Sequence, residues 1–152
     1  MAKTHERMLA RRMAVQALYK SEIMDWEIGQ VASPETIIPD SGALPPYAVS
    51  LLLCVQEHIT EIDELISGAS KNWSLDRMPM VDRAILRCAV CEMLFVDDVP
   101  VKVCINEAVE LAKDFGGEDE SASFVNGILG NIARSEVPEL IGERPDSKSD
   151  RC

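Results

Sequence analysis

Five cations, Lys3, Arg7, Arg11, Arg12 and Lys20, stand in the first twenty residues against one acid, Glu6. On a helix Lys3, Arg7 and Arg11 recur at i, i+4 and i+8 and form a stripe. Clustered Lys and Arg hold phosphate oxygens with an affinity that falls as salt rises, so this stripe is the one feature that suits a polyanion unaided. The same charges also fit a basic, solvated helix end. Other reactive residue types are poorly placed for chemistry. Cys88-x-x-Cys91 has the spacing of half a zinc site, but no second Cys pair follows, and His5 and His58 lie far off in the chain. Within a helix that spacing sets both thiols on one buried face. His58 sits beside Glu57 and Glu61 with no Ser or Cys nucleophile in a recognisable motif. The pairs Asp97/Asp98 and Glu107/Glu110 fit charged outer faces, and Gly116-Gly117 and Gly127-x-x-Gly130 lack the strand and the Lys-Ser/Thr of a phosphate loop. The expectation is a binding protein rather than an enzyme, with no metal and no cofactor.

The elements that must carry these residues read as helices. Thr4 is placed to cap a helix to about Met24, with Ala10, Ala14, Ala17 and Leu18 on its buried face. Five Pro and Gly residues between Gly29 and Pro46 predict a loop. A helical period resumes from Tyr47 to Ser67 and is stopped by Gly68. Trp73 and Leu75 fit a turn ahead of a helix opened by Pro79. Its run Ala84 to Val96 carries only Arg87 and Glu92 as charges, which places it at the centre of the molecule. Pro100 separates it from a helix over Val103 to Phe115, and Ser121 suits the cap of a last helix from Ala122 to Ala133, where Gly127 and Gly130 allow close packing. The reading is all-α, with six to seven helices in one domain over residues 1–134 and a loose tail over 135–152.

Composition agrees with this class. The chain has 152 residues, long enough for one core but not for two domains of useful size. With 47% hydrophobic and 27% charged residues it is neither disordered nor membrane-embedded in character, and 5% aromatics disfavour a β-sandwich. No apolar stretch reaches membrane-spanning length and no signal core opens the chain, so a cytosolic location is expected. Five cysteines, four of them in apolar runs, predict buried thiols rather than a disulfide framework. The net charge of −11 is uneven: residues 1–20 carry +4, and 21–70 carry nine acids and no Lys or Arg.

Three segments in order, Ala10-Arg-Arg-Met-Ala-Val-Gln-Ala-Leu-Tyr19, Val81-Asp-Arg-Ala-Ile-Leu-Arg-Cys-Ala-Val-Cys-Glu-Met-Leu94, and Val99 to Gly116 with Phe124-Val-Asn-Gly-Ile-Leu129, resemble the NusB transcription antitermination family over about residues 4–134. The resemblance implies a fold of two small helical bundles without catalysis. It also implies pairing with NusE, a small-subunit ribosomal protein, to grip the single-stranded boxA element of nascent ribosomal RNA within an RNA polymerase antitermination complex. A protein-only scaffold or homodimer of the same fold is the alternative.

On that resemblance the RNA-binding candidates are Lys3, Arg7, Arg11 and Arg12 for phosphates, Tyr19 as a stacking ring, and Phe124 and Asn126 near the start of the last helix. Phe124 equally suits the core. Glu22, Asp76 and Asp82 are candidate docking points for the basic partner, since opposite potentials speed encounter. The family pattern is thinned at Met8 and Leu9, which interrupt the arginine run, and at Ser123, where a Lys commonly stands. Weak RNA binding by the isolated chain is therefore expected, because each lost phosphate contact lowers affinity.

Overall fold

The computed structural model describes residues 2–71, 74–116 and 119–138, with side chains from His5 onward. Trp73, the Lys3 side chain and the tail beyond Pro138 fall outside that range. Seven α-helices dominate: α1 (Ala2–Ile23), α2 (Ile28–Val31), α3 (Pro46–Glu57), α4 (Ile59–Ala69), α5 (Met80–Phe95), α6 (Val101–Gly116) and α7 (Asp119–Glu136). A 3-10 turn over Leu75–Arg77 leads into α5.

The central apolar run does what its composition demands. Along α5 every residue from Asp82 to Leu94 except Arg87 is buried, and α5 packs on α1 and α3 on one side and on α4, α6 and α7 on the other. Two small helical groups, α1–α3 and α4 with α6–α7, thus share one core helix. On α1 the expected face of Ala10, Ala14, Ala17 and Leu18 is buried, joined by Met13 and Val15. Small residues there let α3 and α5 come close.

Several expectations are corrected. The single helix read from Tyr47 to Ser67 is two, broken at His58, whose backbone N–H still bonds to the Cys54 carbonyl and whose ring stacks on Phe95 with centroids 3.9 Å apart. Within the Pro/Gly-rich loop, Ile37–Ile38 pairs antiparallel with Gly42–Ala43. Its turn places Asp40 (φ 67°) and Gly42 (φ 97°) in the left-handed region, which Gly and Asp tolerate best. Gly127 packs against nothing within 4 Å of where a Cβ would stand, so it does not serve close helix approach, and the nearest atoms at Gly130 belong to the Arg134 side chain of the same helix. Helix α7 begins before Ser121, which instead donates to Asp82 across to α5. The helix also runs past Arg134, and Val137 beyond it is fully buried, so the chain is held beyond the expected end of the domain. Finally, Cys54 and Cys91 form a disulfide between α3 and α5, their Cα atoms 6.5 Å apart, where thiols were expected. The packing of α3 on α5 brings together two cysteines 37 positions apart, a proximity that spacing alone does not reveal. Cys88 and Cys104 are buried thiols.

Candidate nucleic-acid interface

The three arginines of α1 stand in two kinds of environment, one buried and two at the surface. Arg11 is not on the outer stripe. Seven residues span two helical turns less about 20°, so Arg11 lies nearly in line with Leu18 and turns inward. Its Nε donates to both Glu92 oxygens at 2.9 and 2.8 Å, and both side chains are buried, at 8% and 3% exposure. Glu107 lies 3.9 Å from its Nη1. The Tyr47 hydroxyl donates to the same Glu92 carboxylate. Burial first, then the Glu92 charge and that hydrogen bond, hold the Tyr47 phenol well above its ordinary pKa, so it stays a donor. This cluster is a charge-compensated core element.

Arg7 lies outside that cluster and leans on it. Its guanidinium stacks 4.4 Å above the Tyr47 ring and meets Asp98 with two parallel hydrogen bonds of 3.1 Å each. The Asp98 bond raises the Arg7 pKa further above its usual value, so the group is a fixed cation. Arg7 and Arg11 line a recess of about 270 Å3 closed by Asp98, Pro100, Val103 and Glu107. Arg12 repeats the pattern further along: it bonds Asp114 at 3.0 Å and stacks 4.6 Å over Phe115. One helix thus carries two arginines that are each laid on an aromatic ring and held by an exposed aspartate.

Tyr19 is exposed and borders a separate groove of about 350 Å3 with Lys20, Ile38, Val81 and Phe115. Exposed Met80 precedes Val81 in the chain, and exposed Ile23 lies one helical turn past Tyr19. Phe124 is half-buried and lines another recess with Pro79, Asp82, Glu120 and Ser121, while Asn126 is exposed. That recess has the carboxylates of Asp82 and Glu120 and no arginine, whereas the one beside Arg7 sets two arginines against Asp98 and Glu107.

The three docking candidates also separate. Asp76 is exposed, and the Ser74 side chain, donating to it, lowers its pKa, so it presents a charge to solvent. Glu22 is instead an internal partner, paired with Arg83 and 3.8 Å from Arg87, which in turn bonds both oxygens of Asp63 at 2.9 and 3.0 Å. That set ties α1 to α4 and α5. Asp82 is buried at 3% and accepts from Ser121 at 3.1 Å; burial raises its pKa. Proximity to a helix start suggested an exposed acid at position 82, but the α7 start covers it.

Tyr47, Glu92, Asp98, Asp114 and Phe115 are site residues that the sequence reading passed over. Glu92 had a signal, being the one carboxylate in the apolar run Ala84 to Val96 and so demanding a buried cation. Asp98, Asp114 and Phe115 had none beyond their surface character.

Among the described residues no helix is long and apolar enough to cross a membrane. The profile described as NusB family matches residues 8–134. A relative from Geobacter sulfurreducens called transcription antitermination protein NusB is 46% identical over 138 residues, which is 88% of this chain and 96% of the relative. Among solved structures, T. maritima NusB superposes with a TM-score of 0.72 at 36% identity, covering 87% of this chain and 94% of that one. A structure of antitermination factors NusB and NusE in complex with dsRNA gives a TM-score of 0.70 at 28% identity, covering 86% and 98%. In sequence over residues 8–134 and in its all-α architecture, this chain belongs to the NusB family.

Proposed function

We propose that this protein is a transcription antitermination factor that pairs with a NusE-type ribosomal protein and binds single-stranded boxA RNA of nascent ribosomal RNA, acting without catalysis. The observation that carries the reading is the pair of ring-mounted arginines on α1, Arg7 and Arg12, of which Arg7 lines an open recess. Guanidinium groups fixed on aromatic rings suit phosphates and unstacked bases. In this reading Arg7 and Arg12 touch the backbone, with Lys3 as a further cation before them, and Tyr19 offers a ring at the far end of the helix. Arg11 anchors the surface from below. Asn126 and Phe124 extend the contact over α7. The partner meets the exposed carboxylate of Asp76, suited to a basic protein, and the apolar groove beside Tyr19, suited to burying side chains at an interface.

A labelled boxA-like RNA titrated with the protein, with and without the NusE-type partner and at several salt concentrations, tests this. Tight, salt-sensitive binding is expected only for the pair, and Arg7→Glu abolishes it. One observation favours a second reading, a protein-only scaffold or homodimer: all three α1 arginines are engaged by the protein's own carboxylates. Unchanged RNA affinity in Arg7→Glu supports that second reading, and loss of partner affinity in Asp76→Lys, where the net charge is otherwise −11, supports the docking surface.

A further inference from the structure

The ion pairs of α1 fall into two kinds. Arg11 and Glu92 are sunk together in the core. In the other two the aspartate is the more exposed partner: Asp98 at 54% against 20% for Arg7, and Asp114 at 56% against 39% for Arg12. Asp98 sets both its oxygens on the Arg7 guanidinium at 3.1 Å, filling the planar fork that a phosphate would use. The Tyr47 ring under Arg7 holds the guanidinium flat independently of the carboxylate. The anion can therefore be exchanged while the cation stays in place.

We propose that Asp98 is a built-in competitor for the anion site on Arg7: it occupies that site in the free protein, must be displaced when a nucleic-acid phosphate arrives, and so sets how weakly the chain binds RNA. Asp114 plays the same part at Arg12. The inference rests on the RNA-binding reading above and deepens it by naming what the RNA displaces. An exposed ion pair of this kind opposes displacement by a factor of about two to five. Exchange of a carboxylate for a phosphate also leaves the arginine neutralised before and after, so the contact adds little to counterion release. Removing the carboxylate restores that release, about 0.7 in the slope of log K against log salt on a single strand.

The test measures binding of a fluorescein-labelled boxA-like RNA to the full chain with its NusE-type partner, over a salt series, for wild type, Asp98→Asn, Asp98→Ser and Asp97→Asn. Asp97 is an exposed neighbour and reports the effect of net charge alone. Asp98→Asn is expected to tighten binding about two- to fivefold and to steepen the salt slope by about 0.7, with Asp97→Asn giving less than half of either change. Thermal melting confirms that each variant is folded, and Asp98→Ser stands in should the asparagine perturb the start of α6. Affinity unchanged or weakened in both Asp98 variants, or matched by Asp97→Asn, overturns the inference while leaving the RNA reading intact. Absence of salt-sensitive binding in wild type and all variants, with Arg7→Glu indistinguishable, overturns both.

Discussion

Replacing Arg11 with methionine keeps most of the side chain's apolar length and deletes its charge, leaving Glu92 buried at 3% exposure with the Tyr47 hydroxyl still donating to it. Breaking one half of a buried ion pair costs about 3–5 kcal/mol, because the surviving ion is desolvated without compensation. Tyr47 keeps donating, so the lower end, about 3 kcal/mol, applies here. That is a large share of the roughly 5–15 kcal/mol that holds a domain folded. For a chain of this size it lowers Tm by about 6–12 °C. Urea denaturation followed by circular dichroism measures it. Arg11→Met/Glu92→Gln removes both charges and preserves an acceptor for Tyr47, so the double variant recovers most of the loss and the coupling between the two sites is at least about 2 kcal/mol. Arg7→Met, by contrast, breaks an exposed pair and costs about 1 kcal/mol or less. A loss below about 1 kcal/mol in Arg11→Met, or additivity with Glu92→Gln, refutes the assignment of Arg11 to the core.

Three further outcomes are expected. Glu22→Gln destabilises by about 1–3 kcal/mol, since Arg83 is left buried without its carboxylate, while affinity of the folded protein for a basic partner is unchanged; partner titration alongside denaturation separates the two. Asp82→Asn stabilises near neutral pH, because burial raises the folded-state pKa of Asp82 and its ionisation there works against folding; as pH falls below the unfolded value near 3.8 both states are protonated and the gain vanishes, which denaturation at the two pH values reveals. In a Cys152→Ser background, Cys88, buried and with its thiol pKa pushed up to about 12, resists an aromatic disulfide reagent at mildly alkaline pH until the protein unfolds; rapid reaction of the native state contradicts its placement.

The legible parts of the fold are those written in local periodicity. The apolar run of α5 announced a central helix, and Pro100 marked the boundary before α6. His58 was not legible as a break, because neither Pro nor Gly stands there and the apolar period passes through it; the ring stacked on Phe95 is a tertiary contact. The site was legible as a charged helix face but not in its detail. An i, i+4, i+8 stripe drifts by about 40° at each step, so Arg11, the third cation of the row, had already turned toward the core. Glu22 and Asp82 looked like surface acids because their partners, Arg83 and Ser121, come from other helices. The Cys54–Cys91 bond likewise depends on how α3 lies against α5.

In the proposed RNA-binding reading the buried Arg11 guanidinium serves folding and supports the binding surface at once, and this limits how such a protein can diversify. A lineage that altered position 11 to retune its RNA preference would give up about 3 kcal/mol of folding stability before gaining a new specificity. In that reading change is channelled to positions 7 and 12 and to the two aspartates that face them, where a single codon adjusts grip without disturbing the interior.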